Sequence, residues 1–144
     1  MTKLVLIAIT LFALITPASA QAPWTNVAYD PANFSGGTGF WSVPPTSINK
    51  NRYSLNDHTM TWSVSLSPST VYGTTQYLAI RIPEGRVSNG TADTCAYQLI
   101  EGAGKVGIAY TFGVNGWLFL YHADTTLNWA STVGINFTCT FEVK

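Results

Sequence analysis

Charged residues are scarce in this chain of 144 residues, since Asp, Glu, Lys and Arg together make up 10% of it. Basic and acidic residues balance at seven each, and the basic ones form no cluster. Nucleic acid is therefore not an expected partner, because its phosphates are bound by grouped Lys and Arg side chains. Polybasic and amphipathic segments that could bind a membrane surface are also missing. The solvated surface must consist mainly of hydroxyl and amide groups.

Apolar runs long enough to cross a membrane are missing too. The longest one, residues 4–16, has 13 residues, whereas a spanning helix needs about 20. It follows Lys3 and precedes the small residues Ala18-Ser19-Ala20, a pattern typical of a secretory signal peptide. We expect residues 1–20 to be cleaved off, leaving a secreted or periplasmic domain of residues 21–144 without a membrane span.

Cysteine is nearly absent, and the two that occur are Cys95 and Cys139. An even number of cysteines in an exported chain favours a disulfide. Both lie on the apolar side of alternating segments, so the sequence predicts one disulfide inside the core. The alternative is a pair of buried free thiols.

Helical spacing does not persist for three turns anywhere after residue 20, whereas alternation of apolar and polar residues is common. The clearest alternating segments are Met60–Leu66, Leu78–Ile82, Cys95–Leu99, Val106–Phe112 and Val133–Val143, and weaker ones are Thr25–Tyr29, Phe40–Val43 and Arg52–Leu55. Asn115-Gly116 and Asn89-Gly90 are predicted turns. About nine short strands predict one all-β domain, an antiparallel β-sandwich with a jelly roll favoured.

Residue patterns of the common catalytic and metal sites are not found. His58 and His122 are the only histidines, and each has an aspartate nearby. Zinc sites usually need more ligands than this, and the acidic residues are scattered without the pairing that glycoside hydrolysis uses. The sequence therefore predicts no catalytic residue, metal or cofactor. The sequons at Asn33, Asn89 and Asn136 would carry glycans only in a eukaryotic secretory host.

Tryptophan is well represented, with five residues. Trp62 alternates in phase with apolar neighbours and is predicted to lie in the core. The pattern does not decide between core and surface for Trp24, Trp41 and Trp129. These three are candidate ligand contacts, because exposed aromatic rings on a β-sandwich can stack against sugar rings.

The segment Trp117-Leu118-Phe119-Leu120-Tyr121 is apolar on both faces of a strand. One face, either Trp117, Phe119 and Tyr121 or Leu118 and Leu120, must therefore point away from the core. Three large exposed side chains form a patch that soluble monomers seldom carry. The segment is a candidate oligomer interface, with a trimer favoured; the alternative is a cover supplied by residues 33–39.

Aromatic and strand residues follow a distinctive order along the chain: Trp24, Tyr29, Asn33-Phe34, Phe40-Trp41-Ser42-Val43, Tyr53-Ser54-Leu55, Thr59–Val64, Leu78–Pro83 and Phe137-x3-Phe141-Glu142-Val143. This order is similar to that of small β-sandwich domains at the ends of phage tail-fibre-like and uncharacterised bacterial or viral structural proteins. The resemblance implies a jelly roll of the tumour-necrosis-factor and complement-head kind, which commonly forms trimers. The signal peptide and the cysteine pair depart from that pattern.

The order Cys95, Trp117, Cys139 also resembles the immunoglobulin domain. Phe137 stands where that family has a tyrosine, however, and Cys139 lies in the final strand, so this assignment is rejected. The sequence predicts a non-enzymatic, self-associating domain that binds a surface receptor or glycan. The alternatives are a carbohydrate-binding module with exposed Trp residues and a small secreted hydrolase.

Overall fold

The computed structural model describes residues 22–89, 93–99, 106–111, 116–122, 129 and 132–144, with residues 93–97, 99 and 106–111 described by their backbone. Ten strands occur in these residues: β1 (Thr25–Asn26), β2 (Phe34–Ser35), β3 (Phe40–Ser42), β4 (Ile48–Asn56), β5 (Thr59–Tyr72), β6 (Tyr77–Arg81), β7 (Asp93–Leu99), β8 (Val106–Thr111), β9 (Trp117–His122) and β10 (Thr132–Glu142). The only helical elements in the described residues are 3-10 turns of three residues. The prediction of an all-β domain is confirmed for the described residues.

The strands form two antiparallel sheets that share β10. The first sheet has the order β1-β4-β5-β10, with β3 paired to the end of β5, and the second has the order β10-β7-β8-β9-β6-β2. β10 pairs with β5 over most of its length, and among the described residues it pairs with β7 at Ile135 and Asn136. In the second sheet β7, β8 and β9 follow one another and β6 lies beside β9, which is a Greek-key arrangement.

The core lies between the sheets and is built by the predicted alternation. On β5, four side chains spaced two residues apart have no exposed surface: Met60, Trp62, Val64 and Leu66. The same phase holds on β10, where Val133, Ile135, Phe137, Cys139 and Phe141 are buried. Because successive side chains of a strand point to opposite faces, this burial places Ser, Thr and Asn on the outer face of the first sheet.

That outer face is polar, and its hydroxyls bond to one another across the strands. Thr61 Oγ1 lies 3.0 Å from Thr140 Oγ1, and Thr138 Oγ1 donates to Ser63 Oγ at 3.0 Å. Asn49 and Ser67 also exchange hydrogen bonds. The scarcity of charge is thus offset by hydroxyl and amide pairs on this sheet.

Some of the turns lie within the described residues. The β4–β5 hairpin turns at Asp57, which has a positive φ of 54°, a conformation that Asp tolerates better than most residues. Of the predicted turns, Gly116 has φ 62°, while Asn115 and Gly90 lie outside the described residues. The predicted signal peptide, residues 1–20, also lies outside them. No helix in the described part of the chain is long and apolar enough to cross a membrane.

Candidate functional site

Strand β9 resolves the ambiguity that its sequence leaves open. Leu118 and Leu120 have no exposed surface and face the core, where they pair across the sheet with Ile80 and Leu78 of β6. Trp117, Phe119 and Tyr121 therefore lie on the outer face, and each is half-buried. Of the two predicted arrangements, the one with the three aromatic residues outside the core is the one observed.

Tyr77 of β6 completes an aromatic cluster on this outer face. Its ring centroid lies 5.3 Å from that of Phe119 in an edge-to-face arrangement and 5.8 Å from that of Tyr121. We call Tyr77, Trp117, Phe119 and Tyr121 the aromatic face. Sequence reasoning missed Tyr77, although its alternation with Leu78 and Ile80 already indicated that it points away from the core.

A hollow of about 270 Å³ lies among these rings and is lined by Ser35, Tyr77, Ala79, Trp117 and Phe119. Ala79 alternates with core residues and so faces outward, yet it is only 2% exposed, because larger side chains surround it. Its small side chain leaves the space that the rings enclose. The hollow is thus a depression on the outer face of the second sheet, over β9, β6 and the edge strand β2.

One guanidinium borders the hollow. The Arg81 guanidinium carbon lies 5.7 Å from the centroid of the Trp117 ring, within the range of a cation–π contact. Arg81 is exposed and opposes Trp117 across the β6–β9 pair. It is the only charged residue among the described residues of this outer face.

The segment of residues 33–39 borders the aromatic face and leaves its rings half-exposed. Phe34 packs into the core and Ser35 lines the hollow, because β2 pairs with the outer edge of β6. A Cβ placed on Gly37 would lie 3.1 Å from the Tyr77 ring and 2.7 Å from Thr75 Oγ1. The glycine therefore allows the turn to pack directly against one side of Tyr77.

The three tryptophans proposed as ligand contacts occupy different environments. Trp41 is 2% exposed and donates through Nε1 to Ser69 Oγ at 2.8 Å. Trp129 is 5% exposed and its ring lies 4.4 Å from that of His122. Both rings are buried in the core, where neither is open to a ligand. Trp24 is half-buried and stacks with Arg52, whose guanidinium carbon lies 4.7 Å from the ring centroid.

The two histidines occupy different environments. His58 lies exposed in the β4–β5 turn, with Nε2 3.5 Å from Asp57 Oδ1. His122 is buried at the end of β9 against Trp129. Within the described residues, no three His, Cys, Asp or Glu side chains come together in a way that could hold a metal ion.

A polar cluster of Tyr53, Glu84 and Arg86 joins β4 to the 3-10 turn Pro83–Gly85. The Tyr53 hydroxyl donates to one oxygen of the Glu84 carboxylate, and Arg86 Nε donates to the other at 3.1 Å. The hydrogen bond to the Glu84 carboxylate raises the pKa of Tyr53, while the bonds from Tyr53 and Arg86 lower the pKa of Glu84. Each of the three side chains has a partner within the cluster. We therefore interpret the cluster as a structural contact that holds the 3-10 turn against β4.

The substitution Glu84→Gln is expected to lower stability at neutral pH but not in acid. The depressed pKa of Glu84 means that its carboxylate contributes stability fully above the ordinary value of 4.5. That contribution is lost as the pH falls through the lower pKa of the folded state. Thermal melts from about pH 7 to about pH 3 should show the two proteins converging in acid. A difference in melting temperature that stays constant over this range would contradict the assignment.

Cys139 is 1% exposed and lies on the core face of β10. The backbone register between β10 and β7 pairs Ile135 with Leu99 and Asn136 with Gln98. Continued along both strands, the same register brings Cys139 opposite Cys95. The side chain of Cys95 lies outside the described residues, so the disulfide stays a prediction.

Comparison with known proteins finds no matching family model, curated protein or solved structure. The resemblance to tail-fibre-like β-sandwich domains is therefore neither supported nor opposed by a relative.

Proposed function

We propose that this chain is an exported, non-enzymatic recognition domain with jelly-roll topology, and that its aromatic face binds carbohydrate. The observation that carries the proposal is the hollow of about 270 Å³ enclosed by Tyr77, Trp117 and Phe119. The topology is supported by the Greek key of β6 to β9 and by the two antiparallel sheets. Export is expected from the signal-like pattern of residues 1–20.

The chemistry of the face suits a sugar ring. A pyranose presents C–H groups on its two faces and hydroxyls around its edge, so it pairs with an aromatic surface that has a polar border. The hollow offers three aromatic rings, and Ser35 lies at its edge. Hydroxyl and amide side chains continue beyond Tyr77, at Thr38, Thr74 and Gln76.

Nucleic acid fits this face less well, although bases also stack on aromatic rings. Each nucleotide brings a phosphate, and binding then depends on several cationic side chains. The described residues of the face supply one, Arg81. A single cationic side chain favours a neutral or weakly charged ligand over nucleic acid.

Self-association is the second candidate, and the half-buried state of Trp117, Phe119 and Tyr121 in the middle of the sheet is what favours it. A symmetric homo-oligomer, with a trimer preferred, would cover this patch. The trimer hypothesis also follows from the family resemblance. The two functions differ in what covers the rings: a sugar or a second copy of the chain.

A matched pair of variants tests carbohydrate binding. Trp117 and Trp24 are both half-buried and both stack with an arginine, but Trp117 lies on the second sheet and Trp24 lies against Arg52 of the first. On the glycan that binds best in an array, calorimetry should show Trp117→Ala weakening affinity about tenfold, from the loss of one stacking ring. Trp24→Ala should leave the affinity unchanged.

Two outcomes would contradict carbohydrate binding at this face. Glycan affinity that depends on Trp24 and not on Trp117 would move the site to the first sheet. A mature protein that binds no glycan but scatters light as a trimer, and becomes monomeric on Trp117→Ala, would establish the face as a subunit interface.

A further inference from the structure

Tyr77 lines two hollows. One is the aromatic hollow with Trp117 and Phe119, and the other, of about 340 Å³, is lined by Thr38, Thr74, Gln76 and Tyr77. Because Tyr77 lines both, the two hollows lie beside the same residue. Sites for small molecules usually measure roughly 300–1,000 Å³. The aromatic hollow alone falls below this range and the second hollow lies at its lower end, whereas the two together lie well within it.

The two hollows differ in chemistry. Trp117 and Phe119 give the first an aromatic wall, and its floor is Ala79. The second has two hydroxyls and one amide, on Thr38, Thr74 and Gln76, and all three of these residues are exposed. A ligand that occupies both must therefore offer an apolar face at one end and hydrogen-bonding groups at the other.

The wall of the second hollow is held in place by hydrogen bonds. Thr38 Oγ1 donates to the Thr74 carbonyl oxygen at 2.8 Å, which ties the β2–β3 turn to the β5–β6 loop. Thr75, between Thr74 and Gln76, is 1% exposed, and its hydroxyl donates to the Tyr77 carbonyl oxygen at 2.7 Å. The Thr75 carbonyl oxygen accepts a hydrogen bond from the Trp129 backbone N–H.

This anchoring gives the loop a defined orientation. Thr75 points inward, so its neighbours Thr74 and Gln76 point outward into the hollow. Gly37 packs against one side of the Tyr77 ring, and Phe119 lies against it at a centroid distance of 5.3 Å. A binding surface that is ordered before the ligand arrives loses less conformational entropy on binding.

We propose that the ligand is an oligosaccharide chain that crosses the Tyr77 ring and places successive sugar units in the two hollows. One unit stacks in the aromatic hollow, and the next reaches the hydroxyls and the amide around Gln76. This inference rests on the proposed function, since it assigns the length of the glycan that the aromatic face binds. A single monosaccharide would fill only one of the two hollows.

The test compares a monosaccharide with its linear tetramer on the mature protein. Calorimetric titrations use glucose, N-acetylglucosamine, galactose and mannose, each with its tetrasaccharide. For the sugar that binds, the tetramer should bind at least about tenfold more tightly than the monomer. Gln76→Ala should weaken the tetramer severalfold and leave the monomer unchanged. Gln98→Ala, an exposed glutamine on β7, three strands away from Tyr77, is the matched control and should change neither.

The outcomes separate this inference from the proposed function. If the monosaccharide and the tetrasaccharide bind with equal affinity and Trp117→Ala abolishes the binding of both, the oligosaccharide inference is contradicted. The proposal of a carbohydrate site at the aromatic face would then still hold. A tetramer preference that Gln76→Ala does not reduce would also overturn the path across Tyr77. If no sugar of the panel binds, the proposed function and this inference both fail.

Discussion

Cys139→Ser lowers the free energy of unfolding by about 2–5 kcal/mol, on the expectation that Cys139 forms a disulfide with Cys95. Cys139 is 1% exposed on the core face of β10, and the β10–β7 register seen at Ile135 and Asn136, when continued along both strands, brings Cys95 opposite it. Directly opposed residues of antiparallel strands bring their Cβ atoms to about 4.5–5.5 Å, and the lower end of this range meets the upper end of the range of about 3.5–4.5 Å in a disulfide. The loop of about 45 residues that the bond would close corresponds to roughly 4 kcal/mol in the chain-entropy model.

Denaturant unfolding with and without reductant measures this effect. Cys95→Ser should have the same cost as Cys139→Ser, and the double variant should cost little more than either single one, because all three remove one bond. Under reductant the wild type should lose most of its advantage over the variants. Two free thiols titrating in the unfolded, unreduced protein would show that the bond does not exist.

Leu120→Glu is expected to unfold the domain, whereas Phe119→Glu is expected to leave it folded. Leu120 has no exposed surface and packs in the core, so a carboxylate there loses the apolar contacts and is buried without a partner. Changes of this kind cost more than about 4 kcal/mol. Phe119 lies on the half-exposed outer face, where a glutamate can reach water.

Circular dichroism melts and light scattering on the two variants measure this difference. Phe119→Glu should keep the β spectrum and a cooperative melt, and it should lose glycan binding because the ring is gone from the hollow. A folded Leu120→Glu, or an unfolded Phe119→Glu, would mean that the two faces of β9 have been assigned the wrong way round.

Strands with one polar face could be predicted from the sequence, and strand β9 could not. On β10, apolar and polar residues alternate, so burial of Phe137 and Cys139 follows from the period of two. On β9 every residue from Trp117 to Tyr121 is apolar, so the pattern does not show which of these residues face the core. The phase is set by β6, whose Leu78 and Ile80 pair with Leu120 and Leu118. These strands are 35 residues or more apart along the chain, and local spacing does not reveal their pairing.

The candidate site was only partly predictable for a related reason. Trp41 lies in a strand of three residues, too short to show a period. It is buried, and its indole donates to Ser69, 28 residues away. The alternation on β6 predicts that Tyr77 faces solvent. It belongs to the candidate site because Phe119 and Gly37, which are distant in the sequence, pack against its ring. Which aromatic residues are accessible depends on tertiary contacts that no local pattern contains.

Glycan contact at the aromatic face can be tested most directly through the five indole N–H signals of the mature protein in a ¹H–¹⁵N spectrum. Two of them are internal references, because the Trp41 indole donates to Ser69 and the Trp62 indole to Asn51. Titration with the tetrasaccharide should shift the Trp117 signal and leave those of Trp24, Trp41 and Trp62 in place. A shift of Trp24 without one of Trp117, or no shift at saturating glycan, would contradict the assignment of this face as the binding site.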